Sequence, residues 1–275
     1  MRSVMGRMDG KFAVVTGGTQ GLGAEVARLF AERGASGLVI CGRSVDKGQA
    51  RADDLRRRYG CQVEFVAADL AGVDECRKVI AVAKAKFGRV DALVNVAAIT
   101  DRGTILDTDP ALFDRMIAIN TRAPFFLMQD AIKLMIETQV EGTIVNISSM
   151  SSMAGQPFIA AYCASKGAVD TLTRNTAFAL LRNRIRVNAL NIGWMASDGE
   201  DRIQREHHGA DADWLSKAAA RQPFGRLVDP AEVARACAYL SSDESGLMTG
   251  ATINFDQSIW GAYEGSPHPG AAMTL

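Results

Sequence analysis

The sequence predicts an α/β fold: a single domain wound in both directions around a seven-stranded parallel sheet, a three-layer sandwich with helices on each face. Three observations predict it. Short, continuously apolar runs alternate with longer segments of helical period. A glycine-rich turn stands at the first junction between run and helix. No repeat, low-complexity linker or break in composition divides the 275 residues, so 8–258 read as one domain and 259–275 as a C-terminal tail.

The elements follow in order. KFAVVT (11–16), GLVIC (37–41), QVEFVA (62–67), DALVNV (91–96), GTIVNIS (142–148), IRVNAL (185–190) and ATINF (251–255) are the strand candidates. Runs that are apolar throughout, without alternation, mark strands covered on both faces. Amphipathic segments lie near 21–33, 46–59, 73–87, 111–138, 160–181 and 229–241. Right-handed crossovers between parallel strands put such helices on both sides of the sheet. Residues 197–223 interrupt this rhythm; polar, charged and helical in pattern, they are placed as a lid. GSPHPGAAMTL (265–275) is Pro/Gly-rich and is expected to be loosely ordered or draped on a neighbour.

Composition excludes several functions. The 31 basic and 31 acidic residues cancel, which argues against a nucleic-acid or anionic-membrane partner. The basic run RADDLRRR (51–58) is interleaved with Asp53 and Asp54 and reads as a solvated helix face. Five scattered cysteines, at 41, 61, 76, 163 and 237, have no zinc or disulfide spacing and fit a reducing compartment. With no signal-peptide pattern and no transmembrane-length stretch, a cytoplasmic location is expected. His207 and His208 are adjacent, so they cannot share a helical face, and no third ligand accompanies them. No metal site is expected.

The turn VVTGGTQGLGAEVARLF places Gly17, Gly21 and Gly23 between the first strand and its helix. Glycines let backbone approach a pyrophosphate, which then meets the positive helix end near Leu22. Thr19, Gln20 and Leu22 complete this expected cradle of a Rossmann-type, dinucleotide-binding fold. The second strand ends in Gly42, Arg43 and Ser44 with no carboxylate before Asp46. An acidic residue there would select NAD; Arg43 can instead hold a 2′-phosphate, so NADP is favoured and NAD is the alternative.

One further pattern carries chemistry. YCASK (162–166) sets a phenol and an ammonium four residues apart, hence on one helical face. With TGGTQGLG (16–23), AADL (67–70), DALVNVAA (91–98), IAIN (117–120), IVNISSM (144–150), RVNALNIG (186–193) and GRLVDPAEVA (225–234), the chain resembles the short-chain dehydrogenase/reductase family of one-domain type from about Met8 to Asp256.

The resemblance implies an oxidoreductase moving hydride between a nicotinamide cofactor and a secondary alcohol or ketone. Tyr162 would be the general acid/base and Lys166 would lower the phenol pKa and bind the nicotinamide ribose. Ser149 would orient the substrate oxygen, and Asn120 would hold a water linking the lysine to solvent. Asp69 and Leu70 would meet the adenine. Asn95 and Ala97 are grouped with the cofactor contacts, although Asn95 also matches a strand-tying asparagine. Gly193, Met195 and Ser197 would face the nicotinamide.

Departures are Val96 and Ala98 in place of Asn and Gly, Ile192 in place of Pro, Ser197 where Thr is usual, and DQS (256–258) for Asp-Gly-Gly. None removes a catalytic group. Trp194, Met195 and Trp214 are expected to line or cover the pocket. The charged lid tilts the substrate toward a sugar or polyol; the alternatives are a 3-oxoacyl thioester reductase and a non-catalytic dinucleotide sensor. A homotetramer is expected, with Phe125, Phe126, Leu172 and Phe178 on the outer faces of helices 111–138 and 160–181.

Overall fold

Seven strands form one parallel sheet in the order β3-β2-β1-β4-β5-β6-β7. They are β1 (Phe12–Thr16), β2 (Gly37–Gly42), β3 (Gln62–Ala67), β4 (Ala92–Asn95), β5 (Thr143–Ser149), β6 (Arg186–Ile192) and β7 (Thr252–Phe255). This computed structural model describes residues 6–259. The tail segment 265–275, and all of 259–275 beyond its first residue, lies outside the described residues.

The period of two along each strand builds two cores. On one face Ala13, Val15, Leu38 and Ile40 pack against α1 (Gly21–Glu32), α2 (Val45–Tyr59) and α9 (Pro230–Ser241). On the other, Val14, Val39, Leu93 and Ile144 meet α3 (Val73–Phe87), α5 (Ala123–Glu137) and the far end of α6 (Ala160–Ala179). Alternate residues thus serve opposite layers, as a doubly wound sheet requires. The helix ends follow from local chemistry. Ser44 caps α2 and Gly60 ends it in the left-handed region at φ 67°. Asp229 and Glu232 form a reciprocal capping box on α9.

The segment 111–138 is not one helix. α4 (Pro110–Ile117) runs into a π-helical stretch, Ala118–Arg122, before α5 begins. Pro124 has no N–H to give the carbonyl of Asn120, so the ordinary ladder is interrupted there, and Ala123 N–H bonds Ala118 O five residues back. Asn120 therefore sits in a widened turn, at 1% exposure.

The 197–223 segment folds as α7 (Asp198–His208) and α8 (Trp214–Ala220). Ser197 caps α7 by accepting from Glu200 N at 3.1 Å, and Gly209 ends it at φ 59°. Trp214 is buried with Ala218 and Leu227. Its indole N–H donates to Asp201 at 2.6 Å, so it braces the lid from beneath and does not line the cleft as expected.

Candidate active site

A cleft of about 1480 Å³ opens along the carboxyl ends of the strands. That exceeds the usual size of a small-ligand pocket, roughly 300–1,000 Å³, and suits a dinucleotide together with a substrate. The turn after β1 forms its floor. Gly17 and Gly21 adopt φ 65° and 51°, and a Cβ on Gly23 would lie 2.3 Å from Gly17 O. Only glycine fits that approach, which brings the start of α1 against the turn. Gly17, Thr19, Gln20, Gly21, Leu22 and Gly23 all line the cleft. Thr16 Oγ1 accepts from Val96 N (2.9 Å) and Ala97 N (3.0 Å), clamping the end of β4 beside this turn.

The far end of the cleft is lined by Arg43, Lys47, Asp69, Leu70 and Arg115. Asp69 accepts from Ala71 N at 3.1 Å, and Arg115 stands 3.8 Å away. A Cβ on Gly42 would meet Thr19 at 2.8 Å, so glycine lets β2 and the cradle close together ahead of Arg43. Two expected contacts fall elsewhere. Ser44 faces α2 as its cap and does not line the cleft. Asn95 is buried and donates to Asn146 Oδ1 at 2.8 Å; Asn146 in turn donates to Thr173 Oγ1 at 2.9 Å. It ties β4 to β5 and α6, and its amide is not available to a ligand. Ala97 lines the cleft.

At the near end β5 and α6 bring Ser149, Tyr162 and Lys166 together on one wall. Ser149 is the last residue of β5, and Ser151 N donates to its hydroxyl at 3.1 Å. Lys166 is 3% exposed, its Nζ 2.7 Å from Ile147 O and 5.7 Å from the centre of the Tyr162 ring. Gly193, Trp194, Met195 and Ser197 line the opposite edge. A Cβ on Gly193 would lie 1.8 Å from Asp256 Oδ1, so the DQS segment packs directly behind that glycine.

Asn120 does not line the cleft. Its Oδ1 accepts from Ile99 N and its Nδ2 donates to Ile99 O, both at 2.9 Å, and to Ser165 Oγ at 3.1 Å. Ser165 Oγ then donates to Tyr162 O at 2.7 Å. The widened turn thus fastens the loop after β4 to the helix carrying the phenol and ammonium.

Burial pushes the Tyr162 phenol up to about 12, although the residue as a whole is only half-buried and lines the cleft. The Ser149 hydroxyl opposes the shift, and Arg102 does so more weakly. Burial draws Lys166 down to about 8, with Asp170 acting against it. Desolvation disfavours the charged form of each group.

At the substrate end Arg102, which sequence reasoning passed over, stands with His208 and Glu200 of the lid, which it singled out. Arg102 Nε donates to His208 Nε2 at 3.1 Å and its Nη1 to Thr100 O at 2.8 Å, while its guanidinium covers Phe158 at 5.4 Å. His208 therefore latches the end of α7 to the loop after β4. Glu200 accepts from Trp194 at 2.8 Å and from Gln204 at 2.7 Å. Cys163 Sγ packs against Gly155, where a Cβ would come within 2.3 Å. Among the described residues no three His, Cys, Asp or Glu side chains gather as metal ligands.

A doubly wound parallel sheet, a glycine cradle at its first crossover, a serine at the carboxyl end of β5 and a phenol and ammonium in the first turns of α6 together define a dinucleotide-dependent oxidoreductase. The chain belongs to the short-chain dehydrogenase/reductase family: residues 17–257 match a family model described as enoyl-(acyl carrier protein) reductase. It is 35% identical over 249 residues to an uncharacterized oxidoreductase of Thermotoga maritima, covering 90% of this chain and 96% of that one. It is 32% identical to the 3-oxoacyl-(acyl-carrier-protein) reductase of Rickettsia conorii, covering 90% and 95%. The fold superposes with TM-score 0.88 on L-sorbose reductase of Gluconobacter frateurii, solved with NADPH and L-sorbose, at 24% identity over 94% of this chain and all of that one. Proteins of this family transfer hydride between a nicotinamide cofactor and a small alcohol or carbonyl compound. No helix among the described residues is long and apolar enough to cross a membrane.

Proposed function

We propose that the protein is an NADPH-dependent reductase of a small polar ketone, of sugar or polyol type, with Tyr162 as the proton donor. The observation that carries this is the convergence of Ser149, Tyr162 and Lys166 on one wall of a cleft whose other end is a glycine cradle. In reduction the bound nicotinamide supplies the hydride. The Ser149 hydroxyl donates a hydrogen bond to the substrate oxygen, and Tyr162 transfers its phenolic proton to that oxygen as the alcohol forms. A phenol held near 12 is protonated at neutral pH, the state that reduction needs.

The cradle from Gly17 to Gly23 would hold the pyrophosphate, Asp69 and Leu70 the adenine, and Lys166 the nicotinamide ribose, with Ala97, Gly193, Met195 and Ser197 beside the ring. Arg43, supported by Lys47 one turn into α2, would take a 2′-phosphate. Asn120 positions α6 through Ser165. Polar substrates are supported by the lining of Arg102, Gln156, Glu200, Arg202 and His208. The sorbose reductase superposition points the same way, whereas the 3-oxoacyl reductase likeness supports a thioester substrate as the second reading.

An assembly of four copies in the cytoplasm completes the proposal. Phe125 and Leu172 border an apolar depression together with Ile117 and Ala168, and Phe178 is 79% exposed. Phe126 turns inward under Arg77 and is not part of that face.

Tyr162→Phe tests the reading. It should abolish turnover of NADPH with ketose substrates while leaving NADPH affinity by isothermal titration within a few-fold of the parent. Retained turnover would overturn it, and so would an unchanged response in a sensor assay with no turnover in the parent.

A further inference from the structure

One buried acid has no part in the account above. Asp170 lies one turn beyond Lys166 and two beyond Tyr162 on the same face of α6, at 5% exposure. Its Oδ2 accepts from Ser152 Oγ at 2.5 Å and from Asn191 Nδ2 at 3.2 Å. Its Oδ1 is buried with no hydrogen-bond partner. Asn191 also donates to Ser152 Oγ at 3.2 Å, which closes the cluster. Three pieces of backbone meet on this carboxylate: the turn after Ser149, the helix carrying the phenol and ammonium, and β6 just before Gly193.

We propose that Asp170 is a positioning residue that keeps Lys166 in its ammonium form and fixes the Ser149 turn to the Tyr162–Lys166 helix. A cation nearby favours the charged form of a buried carboxylate whose hydrogen-bond partners are all neutral. Among the described residues Asp170 makes no ion pair within 4 Å, and Lys166 is the cation on its own helical face. The other charges on elements packed against α6 are directed elsewhere. Arg115 stands beside Asp69, Arg122 donates to Ala71 O, Arg186 reaches Leu240 and Ser242 carbonyls, Arg174 reaches Thr252, and Asp114 is exposed. β5 and the turn after it offer Lys166 only neutral groups: the Ile147 carbonyl and the hydroxyls of Ser148, Ser149 and Ser152. Asp170 is also the only charged group that acts on Lys166 against its burial.

The inference rests on the reading of Tyr162 and Lys166 as the proton-transfer pair, and its test includes a measurement independent of turnover. Asp170→Asn keeps the shape and the contact to Ser152 but removes the charge. With protein labelled at lysine ε-carbon, Lys166 should titrate at least about one pH unit lower in Asp170→Asn than in the parent, as expected for loss of an opposite charge at close range. The alkaline limb of the kcat profile should move down by a similar interval. The reciprocal variant Lys166→Met, read by the carboxyl carbon of Asp170, should raise the pH at which Asp170 protonates, and it serves if Asp170→Asn does not fold. An unmoved Lys166 titration in Asp170→Asn, or an unmoved Asp170 titration in Lys166→Met, overturns the proposal whatever happens to activity. Loss of the Tyr162→Phe effect would instead strike the reading beneath it and leave the NMR result standing.

Discussion

Lys166→Met should make the protein more stable while removing its activity. The ammonium is 3% exposed, and burial draws its pKa from the model-compound value of 10.5 to about 8. A base whose pKa is depressed by folding binds fewer protons folded than unfolded between those two values, so stability rises with pH through that window. Below about pH 8 both states are protonated, and the folded state carries the whole cost of the buried charge. At 1.36 kcal/mol per pH unit this interval corresponds to about 3 kcal/mol, net of the attraction of Asp170, and an upper figure, since methionine leaves the buried Asp170 carboxylate without its neighbouring cation. Methionine keeps the length and apolar packing of the stem without the charge. For a domain of this size each kcal/mol is worth roughly 2–4 °C, so at pH 7 the melting temperature should rise by several degrees, and the advantage should vanish above about pH 10.5. Differential scanning calorimetry of both proteins from pH 6.5 to 10.5 measures this. A variant less stable at pH 7, or a difference that does not shrink as pH rises, would refute the assignment of a desolvated ammonium.

Two further perturbations probe the cofactor end. Arg43→Ala should weaken NADPH binding by roughly 10- to 100-fold and leave NADH binding nearly unchanged, because only the former offers the guanidinium a charged partner; equal losses for both by isothermal titration would remove Arg43 from selectivity. Gly23→Ala puts a Cβ 2.3 Å from Gly17 O, so the turn must move, at a cost of about 1–3 kcal/mol by denaturant unfolding and with loss of cofactor binding; unchanged binding of both cofactors would mean that the cradle tolerates the shift.

The strands were legible in the sequence because each is apolar throughout and bounded by turn residues; QVEFVA matches β3 residue for residue, and the others differ by one or two positions at their ends. The cradle was legible from its glycines, Tyr162 and Lys166 from their spacing, and Ser149 from the resemblance. What escaped was direction. Ser44 has the right place in the chain but points into a helix cap, whereas Asn95, grouped with the cofactor contacts, makes the strand tie that its sequence match also implied. Trp214 looked like a pocket aromatic and is a brace, since a side chain 22 residues beyond the end of β6 can face either side of a lid. The phenol and ammonium are neighbours as read, but the depth at which the ammonium is buried is not written in a four-residue spacing. Asp170 was within reach, as an acid at the next i+4 position, but its significance needs Asn191 and Ser152, which arrive from β6 and the turn after β5. Arg102 could not be joined to His208 across 106 residues without the fold.

The wide turn at Ala118–Arg122 has a consequence for how this chain tolerates change. One surplus residue rotates everything after it by about 100° relative to the preceding helix. Leu127, Ala131 and Leu134 face the sheet because of that offset, while Met116 and Asn120 serve the catalytic wall on the other side of it. The two helices are thus two phases of one coil, joined where the phase slips. Substitutions on either side leave the slip intact, whereas loss of a single residue between 118 and 122 would close the wide turn into ordinary helix, keeping the inner stripe of α5 on the sheet but removing the turn that holds Asn120 against Ile99. The constraint at this point is on the number of residues as much as on their kind.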